Sequence, residues 1–195
     1  MPSSRLRLAI VVGSIRAGRF GSVAARWLAG QAELRSDLQV DLIELAEARL
    51  PEVRLAEGDV RPQAVRDLSP WLASADAFVV VVPEHNRSFP ASLKNAVDWY
   101  REEWQAKPVG FLCYGGPAGG LRAAEQLRQV FAALGSATIR ETVSLPNHRT
   151  LFDADGQPVE AEAEAVSLDA RRMFDELVWW GEALRNHRKS RPYVR

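Results

Sequence analysis

The chain has 195 residues, 47% hydrophobic and 26% charged, which fits one globular domain able to bury a core without disulfides or metals. Lys and Arg number 25, as do Asp and Glu, so formal net charge is zero and no global field attracts nucleic acid. The single cysteine, Cys113, excludes an internal disulfide framework.

Residues 6–12 form an apolar run of strand length. Arginines precede its core, as in a secretory leader, but the run is short and passes straight into a Gly-Ser-Ile-Arg turn without a cleavage site. The protein is therefore expected to be cytoplasmic. Residues 22–34 place Val23, Ala24, Trp27 and Leu28 at helical spacing, with Arg26 and Arg35 turned outward. Residues 40–45 alternate like a second strand. The stretch 50–61, with Pro51, Gly58 and repeated acids, reads as an irregular loop.

Residues 62–73 predict a helix with Pro62 near its first turn, where a missing N–H is harmless. The β-branched run 77–82 is the signature of a strand covered on both faces, and it is far too short to span a bilayer. Residues 90–104 return to helical spacing. Residues 108–114 are a fourth strand, 121–134 an amphipathic helix closed by Gly135, and 137–143 a fifth strand. Residues 160–186 are a last long helix, entered through the turn Asp153-Ala-Asp-Gly156. The basic cluster 185–195 reads as a solvated, frayed tail rather than a nucleic-acid or membrane patch.

Alternating strands and helices predict a parallel sheet with helices on both faces. Right-handed crossovers and five strands suit a flavodoxin-like α/β three-layer sandwich of order 2-1-3-4-5. The chain reads as one domain over residues 1–195, with a core of about 6–143 and a C-terminal helix of about 160–187. Ligands of such sheets bind beyond the carboxyl ends of the strands, at the switch point between strands 1 and 3. The loops after Val12, Val82 and Tyr114 are therefore the ones to examine.

The first loop, Gly13-Ser-Ile-Arg-Ala-Gly-Arg-Phe-Gly21, runs into Ser22 at a helix start. Glycines free backbone amides for an anion, the helix N-terminus adds positive potential, and Arg16 and Arg19 match phosphate oxygens. Gly13 and Gly18 have the spacing of a Walker A loop, but Arg19 and Phe20 stand where Lys-Ser/Thr is needed, and Gly-x-Gly-x-x-Gly is absent. The second loop, Pro83-Glu-His-Asn-Arg-Ser-Phe-Pro90, is stiffened by two prolines and can wall a planar ring. Taken alone, His85 reads as a surface histidine, and Lys94 and Asn95 as serving helix packing and capping. The third loop, Tyr114-Gly-Gly-Pro-Ala-Gly-Gly120, has more glycine than a turn needs and fits close approach of backbone to a ligand.

Three motifs together resemble the NADPH-dependent FMN reductase family, which includes quinone, chromate and azo-dye reductases. They are Gly13-Ser-Ile-Arg-Ala-Gly-Arg, Pro83-Glu-His-Asn with Pro90-Ala-Ser-Leu-Lys-Asn-Ala-Val-Asp, and Lys107-Pro-Val-Gly-Phe with Tyr114-Gly-Gly. The resemblance implies that Ser14, Arg16, Arg19, Phe20, Gly21 and Ser22 hold the FMN phosphate. It implies that Pro83, Glu84, His85 and Asn86, with Arg87 beside them, line the isoalloxazine, and that Tyr114, Gly115 and Gly116 meet its pyrimidine edge. The family usually has tyrosine where this chain has His85, and often His-Gly or similar small residues where it has Arg87-Ser88. His85 could thus modulate the site near neutral pH.

The expected activity is transfer of hydride from NADPH or NADH to FMN N5, and then of electrons to a small acceptor such as a quinone, azo compound or free flavin. No catalytic acid, nucleophile or metal ligand is expected, in keeping with the lack of a Ser/His/Asp or Cys/His constellation. The alternatives are a non-catalytic flavodoxin-like electron carrier or flavin-binding interaction module, against which zero net charge argues, and a reductase supplying reduced FMN to a monooxygenase. The resemblance also implies a homodimer or homotetramer, with no nucleic-acid or membrane partner; Trp99, Tyr100 and Trp104 fit either a core face or a helix buried between subunits.

Overall fold

A computed structural model describes residues 5–52 and 59–193. Its strands are β1 (Leu6–Val12), β2 (Leu38–Glu44), β3 (Ala77–Pro83), β4 (Pro108–Tyr114) and β5 (Ala137–Leu145). They form one parallel sheet of order β2-β1-β3-β4-β5, as the alternation of elements predicts. The helices are α1 (Gly21–Glu33), α2 (Leu45–Ala48), α3 (Gln63–Ser74), α4 (Ala91–Trp99), α5 (Leu121–Leu134), α6 (His148–Leu151) and α7 (Glu160–Ser190). Half of the expected loop 50–61, residues 53–58, lies outside the described residues.

Strand periodicity divides the core in two. Leu8, Ile10 and Val12 of β1 and Val79 and Val81 of β3 face a cluster with Leu28 of α1 and Met173 and Leu177 of α7. Their neighbours Ala9, Val11, Phe78 and Val80 face the opposite cluster with Leu72 of α3, Val97 of α4 and Phe131 of α5. The pairing of β4 with β5 shifts between Val109 and Phe111. There the Glu176 carboxylate accepts from the N–H groups of Arg140 and Glu141, while Arg128 donates to the carbonyls of Ile139 and Arg140. Side chains thus occupy backbone groups that an edge strand would otherwise offer to another chain.

The expected helix 90–104 stops at Trp99. Tyr100 turns extended, at φ −119°, and is fully buried, donating its hydroxyl to the Val65 carbonyl at 3.1 Å. Trp99 Nε1 donates to the Pro51 carbonyl, and Trp104 packs 4.5 Å from Phe78 and 5.5 Å from Phe131. All three rings belong to the protomer's own core, so they do not form the expected intersubunit surface. Aromatic spacing was compatible with a helix, but the chain leaves the helix at Tyr100.

The expected solvated tail 185–195 is corrected at Arg185 and Arg188, and its last two positions, 194–195, lie outside the described residues. The 31 residues of α7 make a rod of about 46 Å, far longer than a sheet strand of about 23 Å. Its overhanging end is held beneath the sheet, where Arg185 donates to the Arg5 carbonyl and both Arg185 and Arg188 meet Asp76. No described helix is long and apolar enough to cross a membrane.

Candidate functional site

The order of strands sends the chain from β1 outward to β2 and then back to β3, so the loops leaving β1 and β3 part in opposite directions. Between them, with the loop leaving β4, lies a cavity of about 580 Å³ at the carboxyl ends of the strands.

The β1 loop supplies Ser14, Arg16, Ala17, Gly18, Arg19 and Phe20. Gly13 anchors it, donating to the Val81 carbonyl at 2.9 Å and accepting from the Ser92 hydroxyl at 2.8 Å. The N–H groups of Ala17 to Phe20 have no backbone acceptor among the described residues. Arg16 likewise has no ion-pair partner there, whereas Arg19 grips Glu44 of β2 through Nε at 3.1 Å and Nη2 at 2.8 Å. The two arginines are thus different: one is spent on the fold, the other faces the cavity unpaired.

Tyr114 ends β4 beneath this loop, its hydroxyl bonded by the Gly21 N–H and the Ser14 side chain. Burial pushes the phenol up to about 12, so it keeps its proton across the physiological range. A side chain at position 21 would sit 2.9 Å from that hydroxyl, so glycine here serves loop packing.

Pro83, Glu84 and His85 form the second wall, and Gly115 and Gly116 with Tyr114 the third. The Glu84 N–H donates to the Tyr114 carbonyl at 2.9 Å, which locks the walls together. Glu84 Oε1 accepts from Arg122 at 2.7 Å, but its Oε2 is buried with no hydrogen-bond partner. Burial keeps the Cys113 thiol protonated too, raised to about 12 one residue before the wall.

His85 and Ser88 exchange both backbone hydrogen bonds around a tight turn with positive φ at Asn86, 50°, and Arg87, 66°. That is the geometry of a type I′ turn, which suits asparagine and glycine but strains arginine. Arg87→Gly should stabilise the protein by about 1 kcal/mol, read as a higher urea midpoint. A lower midpoint would count against the strain.

Burial first, and the positive field of Arg16 second, hold the His85 imidazole below its ordinary value of 6.5. The folded chain therefore binds this proton less readily than the unfolded chain. The stability this contributes is present above 6.5 and lost as pH falls through the depressed value. Arg16→Ala removes one of the two causes, so His85 should titrate at higher pH in that variant. An NMR titration of the ring protons checks this, and an unchanged or lower midpoint would contradict it.

Four expected residues fall outside the cavity lining: Gly21, Ser22, Asn86 and Arg87. Gly21 packs on Tyr114, and Ser22 lies about 100° further round the first turn of α1. Asn86 and Arg87 form the exposed apex of the turn, which Gln126 fastens through the Arg87 carbonyl and the Ser88 hydroxyl. Conversely, His148 and Arg149 of α6 line the cavity and carry no signal of periodicity or motif. Their position after the carboxyl end of β5 is the one clue the sequence held. His148 Nδ1 lies 3.0 Å from the Gly115 carbonyl, and its ring meets Phe20 at 4.6 Å and Tyr114 at 5.2 Å. Arg149 is exposed and has no ion-pair partner among the described residues.

Residues 6–150 match a family profile described as NADPH-dependent FMN reductase. The chain is 31% identical over 173 residues to a 2-hydroxy-1,4-benzoquinone reductase of Burkholderia sp., covering 86% of this chain and 89% of that protein. It is 30% identical over 144 residues to a quinone reductase of Escherichia coli K12, covering 71% and 76%. Among solved structures, FerB of Paracoccus denitrificans, a flavoenzyme NAD(P)H:(acceptor) oxidoreductase, superposes with a TM-score of 0.75 at 25% identity, over 91% of this chain and 98% of that one. With the profile spanning the strands and every cavity wall, the chain belongs to the NADPH-dependent FMN reductase family, oxidoreductases of flavodoxin-like fold that work with FMN and a nicotinamide nucleotide.

Proposed function

We infer that this protein is an NAD(P)H:quinone reductase type of enzyme, holding FMN in the cavity at the carboxyl ends of β1, β3 and β4. The observation that carries this reading is the donor set of the β1 loop, four backbone amides without backbone acceptors beside one unpaired guanidinium. A phosphate dianion offers the acceptors that such a set lacks.

When bound, FMN supplies the capacity to take hydride from a nicotinamide and pass electrons to a quinone or a similar acceptor. Arg16 and the Ala17 to Phe20 amides bind the phosphate, with Ser14 beside them. Pro83 to His85 and Tyr114 to Gly116 orient the ring between them. The Gly116 N–H, which has no backbone acceptor among the described residues, supplies a donor where negative charge builds during reduction. His148 fixes the Gly115 carbonyl, and the Phe20, Tyr114 and His148 rings keep water from that side. Arg149 adds a second unpaired cation at the mouth.

In this reading the chain is a single flavin-binding domain, works in the cytoplasm on small diffusible acceptors, and pairs with itself. Steady-state turnover of the FMN-loaded protein with NADPH and with NADH, against quinone, azo and free-flavin acceptors, tests it. Quinone turnover with at least one nucleotide is expected. Flavin retained through gel filtration without turnover on any acceptor would instead favour an electron carrier.

A further inference from the structure

The flavin cavity has a neighbour. A second cavity, of about 710 Å³, adjoins it along the β1 loop, and Ser14, Arg16 and His85 line both. Its other walls are α2 with the residues just after it and the start of α4. The volume suits a small-molecule ligand, and Ile15, Leu50 and Pro90 supply apolar surface beside the polar groups.

Arg49 stands out on this lining. It caps α2 at φ 48° and ψ 44°, the left-handed region where helix ends usually place glycine. No contact offsets the strain: the side chain is exposed and has no hydrogen-bond or ion-pair partner among the described residues. A glycine would serve the backbone better, so the side chain explains the residue. The wall that carries it is also fixed. The Pro51 carbonyl accepts from Asn95 Nδ2 at 3.0 Å and from Trp99 Nε1 at 2.8 Å, which ties the stretch after α2 to α4. Arg49 is therefore a preorganised, unpaired cation one compartment away from the flavin cavity.

The chemistry of the lining narrows the ligand. Arg16, on the shared wall, belongs to the FMN phosphate in the functional reading, which leaves Arg49 as the free guanidinium. Glu52 is the one carboxylate among the lining residues. A carboxylate accepts from a ribose 2′-hydroxyl, whereas a guanidinium takes a 2′-phosphate. The two make opposite demands, and the strained, clamped backbone singles out Arg49. Past Phe20 and His148, a third cavity sets Asp153 and Asp155 against Arg26 and Arg149 and has no strained cation, so it suits a phosphate less.

We propose that the second cavity takes the adenosine half of the nicotinamide nucleotide and that Arg49 binds its 2′-phosphate, which makes NADPH the preferred reductant. The proposal rests on the flavin reading of the neighbouring cavity.

The test uses the FMN-loaded protein. In titration calorimetry, adenosine 2′,5′-bisphosphate should bind at least about tenfold more tightly than adenosine 5′-monophosphate. Arg49→Gly keeps the left-handed backbone and removes only the side chain. It should weaken the bisphosphate and raise the KM for NADPH roughly ten- to a hundredfold. The KM for NADH and kcat should hold, and the urea midpoint should not fall. Arg49→Lys keeps the charge and should recover part of the loss. Equal affinity of the wild type for the two adenosine nucleotides, equal losses for NADPH and NADH in Arg49→Gly, or a wild type that prefers NADH would each overturn the proposal. FMN retention and turnover with NADH report on the flavin reading, and the calorimetry needs no turnover, so the two failures are told apart.

Discussion

Gly120→Ala is expected to destabilise the protein by about 3 kcal/mol or more. Gly120 precedes α5 with φ at 86°, a left-handed conformation that an alanine adopts only under strain. Its added Cβ would also lie 2.5 Å from the Tyr114 nitrogen and 2.9 Å from the Cys113 carbonyl carbon. Those atoms are backbone of β4, a strand buried along its whole length between β3 and β5, so they have nowhere to move. The urea midpoint should fall with little change in slope. Gly116→Ala is the control: a Cβ there meets nothing within 4 Å and φ is not positive, so stability should stay within about 0.5 kcal/mol. Equal stability of the two variants would show that the β4 loop does not approach its own strand as described.

Arg16→Ala should weaken FMN binding by about 1.5–3 kcal/mol, the range for a hydrogen bond to a charged group, or roughly ten- to a hundredfold. Riboflavin has no phosphate and should bind the variant as it binds the wild type. Arg19→Ala has a different expected outcome although the two arginines share a loop. Its guanidinium belongs to Glu44, so removing it strips a largely buried carboxylate of its partner and loosens the β1 loop against β2. FMN should again lose more than riboflavin, because the loosened loop carries the phosphate amides. The urea midpoint should fall as well, whereas Arg16→Ala should leave it unchanged. Flavin titrations together with urea unfolding separate the cases. Equal losses for the two ligands in Arg16→Ala would remove Arg16 from the phosphate site.

The contrast between Arg16 and Arg19 shows where sequence reasoning reaches its limit. Both residues carry the same chemistry in the same loop, and only the fold brings Glu44, 25 positions onward, beneath one of them. Strands were legible because 6–12, 77–82 and 108–114 are apolar runs bounded by glycine and proline, and a sheet buried on both faces admits little else. The three loops were legible because their glycines and prolines have few other uses. The wall formed by His148 and Arg149 was not. Its helix has four residues, too few to show a period, and its hold on Gly115 depends on the register of β5 against β4. Residues 100–104 misled for the opposite reason: their spacing satisfies a helix, but the chain turns extended at Tyr100, whose hydroxyl then donates to the Val65 carbonyl of another element.

In the proposed reading, the cavity above β1, β3 and β4 holds FMN so that a nicotinamide nucleotide can reduce it. The most direct measurement is anaerobic stopped-flow absorbance of the FMN-loaded protein, mixed first with NADPH or NADH and then with benzoquinone. The oxidised-flavin band should be lost with one equivalent of nucleotide, return with one equivalent of quinone, and be weaker in Arg16→Ala prepared and desalted in the same way. Wild-type protein that retains FMN but keeps its band with both nucleotides, or an Arg16→Ala preparation that retains FMN as well as the wild type does, would contradict it.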